Sequence, residues 1–398
     1  MWLVNLSNLP WVPKRLKRNQ AIFQYLLSAQ PFQGGLFINP PVVRNPATQP
    51  EWRLPYLAPL GRQHIHGKPV DILQPVFTLP FTWRAPIQQL SARLIARAIQ
   101  RHLTRQPYVL WMNSIIPLSA ALAQPLAPQA RLRVFDSSDD FVEFETTPEG
   151  RNQAQQVLNQ VLAMADRVLA VNEHVCAKLP HPHKRVFLNC TDFANFQNWD
   201  PGWTLAPFFP KPPHARYIGF TGGLNRGRAD FELLEKLFLH FPGCQFLFVG
   251  YTNDPSIPQW LSRFPNAAFV SEVAYDDLSH VIHNFDVAIV PHLDNERTRG
   301  NDLLKVLDYL ACSIPVVTTR CSNVERYASA CYIAPTHEDF LAVVARLLEN
   351  PQSHDPKPGL EIARQRSWKT QVQELSLWIL EALSLSCRRD GESNPCPP

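Results

Sequence analysis

The chain has 398 residues, 45% of them hydrophobic, and a formal charge of +4. That length holds two or three domains of ordinary size, and so small a charge argues against a nucleic-acid partner while leaving room for a local basic patch. With 38 prolines and 15 glycines the chain favours fixed turns over flexible linkers. Trp2 to Leu6 suits a first buried strand, Lys17 to Ala29 has helical spacing, and Gly35 to Asn39 reads as a second strand stopped by Pro40-Pro41. Strand, helix, strand in that order predicts a βαβ unit and a parallel sheet. Residues 42–80 are proline-rich and read as an irregular excursion with one or two short strands. Ile87 to Leu103 is predicted helical and Tyr108 to Asn113 a strand with a polar end. Arg131 to Phe135 is a strand running into Asp136-Ser137-Ser138-Asp139-Asp140. A helix over Asn152 to Ala165 and strands over Arg167 to Val171 and Val186 to Asn189 complete the first series.

From Asp192 to about Pro213 the pattern breaks in a proline-rich stretch that reads as an interdomain linker. A second α/β series follows. It has strands at Arg216–Phe220, Gln245–Val249, Ala268–Val270, Asp286–Pro291, Pro315–Thr319 and Ser329–Ile333. Helices fall at Phe231–His240, Asp276–Asn284, Asn301–Ala311, His337–Glu349 and Trp368–Leu383. The predicted divisions are 1–195, a linker 196–215, 216–360, a C-terminal helix 361–385 packing back across the domains, and a disordered tail 386–398. Two successive α/β domains predict a cleft, with ligands beyond the carboxyl ends of the strands.

The eight cysteines show no CxxC pair, which points to buried thiols in a reducing compartment. Asn5, Asn8 and Pro10 interrupt any signal-peptide core, and no run of 18 apolar residues exists. A cytoplasmic location is expected. Lys14-Arg15 and Lys17-Arg18, with Trp2 and Trp11, suit either a solvated basic face or a peripheral contact with a membrane.

The stretch from Arg297 to Thr319 carries the clearest chemistry. It reads as a basic loop, a helix and a strand, with Asn301 as N-cap and Asp302 in the first turn. Leu303, Val306, Leu307 and Leu310 form one apolar face, and Lys305 and Asp308 point off the opposite one as neighbours. Such a pair is ordinarily a solvated surface pair worth ~0.2–0.5 kcal/mol. At a helix N-terminus it also suits a ligand with a phosphate beside hydroxyls, such as a sugar nucleotide.

Tyr217 to Leu224 with its Gly222-Gly223 turn, Asp230 to Leu234, Phe285 to Pro291 and Leu303 to Thr319 together resemble a GT-B glycosyltransferase of the family-4 (group 1) type. The likeness is closest to bacterial enzymes of cell-surface polysaccharides, including teichuronic-acid-type enzymes. It is strong over 216–345 and weak over 1–110; Val134 to Phe141, Ala165 to Leu169 and Asn189 to Phe193 look like further landmarks. The sequence departs from the pattern at Asp308, where the family has Glu, and at Gly300, Leu303, Ser313 and Cys190.

The resemblance implies α/β architecture with two Rossmann-like domains facing a cleft. The second domain would bind a nucleotide-diphosphate sugar and the first a glycan or lipid-linked acceptor. Gly222 and Gly223 would let backbone approach the diphosphate, Lys305 would pair with it, and Asp308 would bind the ribose hydroxyls. Thr298 and Arg299 could touch phosphate; for Arg299 a solvated loop cation is an equal reading. No cofactor and no metal are expected, and Lys305, helped by Arg299 or Arg226, would stabilise the leaving diphosphate. Asp136, or Asp139 in its place, would lie near the reacting sugar; an N-cap or loop carboxylate is the alternative for both. The implied activity is sugar transfer, retaining by analogy. A nucleotide-sugar hydrolase, epimerase or phosphorylase, or a non-catalytic binding partner, would carry the same donor motif.

Overall fold

The computed structural model describes residues 1–12, 16–43, 57–77, 84–104, 106–203, 205, 215–271 and 273–389. It divides into unit 1, Met1–Leu188 with Val372–Pro398, and unit 2, Asn189–Gln371.

Unit 1 runs β1 (Trp2–Leu6), α1 (Arg18–Ser28), β2 (Gly34–Ile38), β3 (Val42–Val43), β4 (Leu57–Ile65), β5 (Lys68–Phe77), α2 (Ala85–His102) and β6 (Tyr108–Met112). It continues with α3 (Pro117–Leu126), β7 (Leu132–Ser137), α4 (Pro148–Met164), β8 (Arg167–Ala170), α5 (Glu173–Lys178) and β9 (Lys184–Val186). The sheet order is β3-β5-β2-β1-β6-β7-β8-β9, with β4 antiparallel on β5. All residues of β2 and β6 are buried, as expected of strands covered on both faces by helices. Chain order reverses between β1 and β6, whose Leu6 and Met112 are register partners.

The irregular excursion expected at 42–80 contains a long hairpin instead. His66 and Gly67 take positive φ (50° and 74°) and turn β4 into β5. Pro59, Pro69 and Pro75 lie in these strands and hid them, because proline ordinarily demotes a strand. Helix α3 was also unread; Pro117 opens it and Ala120 to Ala123 are buried.

Unit 2 runs α6 (Phe193–Gln197), β10 (Arg216–Thr221), α7 (Phe231–His240), β11 (Cys244–Gly250), α8 (Ser256–Leu261), β12 (Ala267–Ser271), α9 (Tyr275–His283) and β13 (Val287–Val290). After these come α10 (Glu296–Arg299), α11 (Leu304–Ala311), β14 (Val316–Thr319), β15 (Tyr332–Ala334), α12 (His337–Glu349), α13 (Lys357–Gln365) and α14 (Trp368–Arg389). The sheet is parallel, in the order β12-β11-β10-β13-β14-β15, so its reversal falls between β10 and β13. Each unit is thus a Rossmann-like layer structure.

The chain passes between the units at Leu188, ahead of the expected 195, because Asn189 to Thr191 hydrogen-bond within unit 2. Part of the expected linker is helix: Phe196 of α6 is wholly buried in the unit 2 core. Residues 206–214 of that linker lie outside the described residues. Helix α14 begins in unit 2, its residues from Val372 belong to unit 1, and it reaches Arg389, into the tail expected from 386. Residues 390–398 lie outside the described residues.

Candidate active site

The turn after β10 and the start of α11 meet at the reversal point of the unit 2 sheet. Gly222 has φ +110° and donates its N–H to the Val249 carbonyl at 2.8 Å. Gly250, at the end of β11, has φ +151°, and a Cβ there would stand 2.2 Å from the Gly222 carbonyl oxygen. A side chain on Gly250 would therefore displace the Gly222 turn, while one on Gly222 would strain its positive φ and press on Lys305. Gly250→Ala is expected to destabilise unit 2 by about 2–4 kcal/mol, combining backbone strain with the clash. Gly243→Ala, with nothing within 4 Å, is the matched control. Urea unfolding of the two variants checks this, and equal midpoints would refute it.

Lys305 stands in the first turn of α11. Its Nζ lies 3.7 Å from the centroid of the Phe220 ring and 3.4 Å from where a Cβ on Gly222 would be. The ammonium is thus held over the glycine turn by a cation–π contact. Tyr309, one helical turn on, fixes the end of β10: its hydroxyl accepts the Thr221 N–H at 2.7 Å and lies 3.0 Å from Thr221 Oγ1. Burial pushes the Tyr309 phenol well up, so it remains neutral.

His292 packs near Phe220, ring centroids 6.2 Å apart, and was not singled out from the sequence. It follows β13 across the reversal point, is 5% exposed, and has no hydrogen-bond partner for Nδ1. Burial, then the charges of Lys305 and Arg228, hold its pKa well below the usual histidine value. A neutral imidazole therefore stands near a cation. Its signal in the sequence was its place: the first polar residue after the apolar run of β13, at a strand's carboxyl end.

The remaining expected residues are placed otherwise. Helix α11 starts at Leu304, with neither Asn301 as its N-cap nor Asp302 in its first turn. Asp302 accepts the Asn189 N–H at 2.6 Å and lies 3.4 Å from Arg366. Thr298 is wholly buried: its hydroxyl donates to the Leu293 carbonyl at 2.6 Å and accepts the Asn295 N–H at 3.0 Å in a capping box. Arg299 is turned to Asp294 and Glu296 at 3.0 and 2.8 Å, which raise its pKa, Asp294 foremost. It fits the solvated loop cation. Arg226 stacks on Phe231 at 4.6 Å and lies 3.5 Å from Asp254. A Cβ on Gly223 would meet the Tyr251 ring at 3.0 Å.

Asp308 is not on an open face beside Lys305. It is 8% exposed and accepts from Thr191 Oγ1 at 2.7 Å. Burial raises its pKa to about 7, against the Thr191 hydrogen bond, with Asp192 adding to the rise and Lys305 opposing it. The folded chain therefore holds the Asp308 proton more tightly than the unfolded chain. Stability present below the unfolded value of 3.8 is lost as pH rises to about 7. Asp308→Asn is expected to match the parent near pH 4 and to exceed it at pH 8 by about 1–4 kcal/mol, at ~1.4 kcal/mol per unit of pKa. Urea midpoints at the two pH values test it; an Asn variant that is weaker at pH 8 would show a carboxylate held ionised.

In unit 1, Asp136 is wholly buried. Arg18 Nη2 lies 2.7 Å from its Oδ1, Arg18 Nε is 3.2 Å from both oxygens, and Asn113 Nδ2 donates to Oδ2 at 3.1 Å. The strand-end carboxylate is thus sealed in an ion pair rather than presented to a substrate. Asp139 is half-buried and its carbonyl accepts from Ser137. Asp140 pairs with Lys178 at 2.6 Å. Around Asp136, at the carboxyl ends of β1 and β6, the side chain of Asn5 and Oδ1 of Asn113 are buried without partners.

Of the basic cluster expected near the start, Lys17 and Arg18 fall among the described residues. Lys14 and Arg15 lie outside the described residues, Arg18 turns inward, Trp11 packs edge-on against Phe37 at 4.9 Å, and Trp2 packs on the core.

Residues 215–350 match the family model of the Glycosyl transferases group 1. That span holds the glycine turn, His292 and Lys305. The resemblance drawn from residues 216–345 to group 1 glycosyltransferases is therefore sound. The chain is 26% identical over 165 residues to the Bacillus subtilis (strain 168) protein named as a teichuronic acid biosynthesis glycosyltransferase, TuaH. The alignment covers 40% of this chain and spans about two fifths (41%) of that relative. Sucrose-phosphate synthase from Thermosynechococcus elongatus superposes with a TM-score of 0.68 at 15% identity, over 96% of this chain and 99% of its own. Anabaena HepE in complex with UDP-glucose gives 0.65 at 12%, over 96% and 100%. WaaG, a glycosyltransferase involved in lipopolysaccharide biosynthesis, gives 0.62 at 11%, over 94% and 98%. The fold is that of the GT-B glycosyltransferases. Among the described residues, no helix is long and apolar enough to cross a membrane.

Proposed function

We propose that the chain transfers a sugar from a nucleotide-diphosphate sugar to a glycan or lipid-linked acceptor in surface-polysaccharide synthesis. Unit 2 takes the donor and unit 1 the acceptor. The observation that carries the reading is the Lys305 ammonium fixed above the Gly222 turn, at the reversal point of a parallel sheet. Sheets of this kind bind ligands at that point, and glycine there lets a diphosphate approach the backbone. The HepE structure with UDP-glucose and the relative named for teichuronic acid synthesis support the same class of donor and product.

Breaking the glycosyl–phosphate bond leaves negative charge on the departing diphosphate. Lys305 stabilises that charge as it develops, without any need for a metal ion. His292, held neutral, offers Nδ1 to a hydroxyl or phosphate oxygen without adding charge. Asp308 serves by bracing α11 through Thr191 rather than by binding ribose. The configuration at the transferred carbon is retained.

The test is to incubate the protein with a panel of nucleotide sugars, with and without glycan acceptors. Nucleoside diphosphate release that requires an acceptor supports transfer, and NMR of the product reads its anomeric configuration. Release to water alone supports hydrolysis. Thermal stabilisation by a donor without turnover supports a binding protein.

A further inference from the structure

The charge of the chain is distributed unevenly. Residues 1–135 hold fifteen Lys and Arg but only two acidic residues, Glu51 and Asp71. Unit 1 as a whole has twenty-two Lys and Arg against fourteen Asp and Glu, and unit 2 has sixteen against twenty.

Helix α2 concentrates this excess. It carries no acidic residue, and its inner face buries Ser91, Ala92, Ile95, Ala96 and Ile99. Arg93, Arg97 and Arg101 recur every fourth residue on the opposite face, all exposed, and no ion pair holds them among the described residues. Helix α3, its main neighbour, has no acidic residue either. On the same stripe, one turn before Arg93, Leu90 is 52% exposed. The exposed leucine gains nothing from water, and the arginines beside it are solvated without a counter-charge. It matches a bilayer surface, where the leucine enters the acyl boundary and the guanidinium groups meet anionic headgroups.

We infer that the Leu90–Arg101 face of α2 docks unit 1 on an anionic lipid surface. The docking does not rest on sugar transfer, because vesicle binding needs no donor. Topology gives the contact a use. Helix α2 follows β5, so its Leu90 end lies toward the carboxyl end of the sheet, which carries the partnerless Asn5 side chain and Asn113 Oδ1. A headgroup-linked glycan at the docked surface would start near that edge.

The test is co-sedimentation of the full chain with vesicles of phosphatidylcholine containing roughly a third phosphatidylglycerol, an anionic surface, and with pure phosphatidylcholine vesicles. Binding to the anionic vesicles only, falling with salt, is expected. Arg93→Gln/Arg97→Gln/Arg101→Gln should weaken partition on the order of 100-fold, at the usual contribution per basic residue. Leu90→Ser should weaken vesicle partition several-fold while leaving retention on heparin, a soluble polyanion, unchanged. All four positions are exposed, so thermal melting should match the parent. Equal partition to both vesicle types, or a triple variant that still sediments, overturns the inference. So does a Leu90→Ser variant that binds vesicles like the parent, which would mark the stripe as a site for a soluble polyanion.

Discussion

Lys305→Ala is expected to lower sugar-transfer turnover by about 10²–10³-fold, the usual loss when one preorganised charge-stabilising group is removed. The side chain is half-buried at the helix surface and packs on Phe220, so the fold should survive with a modest drop in stability. Phe220→Leu separates the charge from its support. It keeps the charge but releases the ring contact that positions it, and is expected to cost turnover through misplacement, by a smaller factor than loss of the charge. Steady-state kinetics with calorimetry of donor binding distinguishes the two. Unchanged donor affinity and turnover in Lys305→Ala would remove α11 from the reaction.

The largest stability effect is expected at Arg18. Arg18→Leu leaves the wholly buried Asp136 without its bidentate partner, a loss of about 3–5 kcal/mol. Arg18→Leu/Asp136→Leu removes both charges and should recover most of that loss, because a hydrophobic replacement avoids desolvating either group. Denaturant unfolding reads both. A double variant that folds normally but turns over far more slowly would return Asp136 to the reacting sugar, where the sequence had placed it.

These two sites show what sequence can and cannot disclose. Lys305 was legible because its place follows from local periodicity: an apolar face of Leu303, Val306, Leu307 and Leu310 puts Lys305 on the other side. The parallel sheets were legible from alternating strands and helices. The surroundings of Asp308 and Asp136 were not, because the residues that meet them, Thr191 and Arg18, arrive from 117 and 118 residues away. A carboxylate at a strand end or on a helix face looks the same whether water or a distant residue meets it. The surroundings of Thr298, and which of the two readings of Arg299 fits, were hidden for a nearer reason. The short helix α10 forms there, and its own cap and carboxylates consume both side chains. The hairpin of β4 and β5 was obscured by prolines, and Gly250 by its place at the end of a strand with no turn of its own.

The uneven charge of the two units changes the meaning of the +4 total. A small sum here is a cancellation, so the molecule behaves as an electric dipole rather than as a nearly neutral particle. Near a negatively charged plane such a dipole feels a torque within roughly a Debye length, about 8–10 Å at ordinary salt. The torque turns the cationic unit toward the plane before any contact is made. Encounters become oriented, which acts on the rate of arrival more than on the strength of holding.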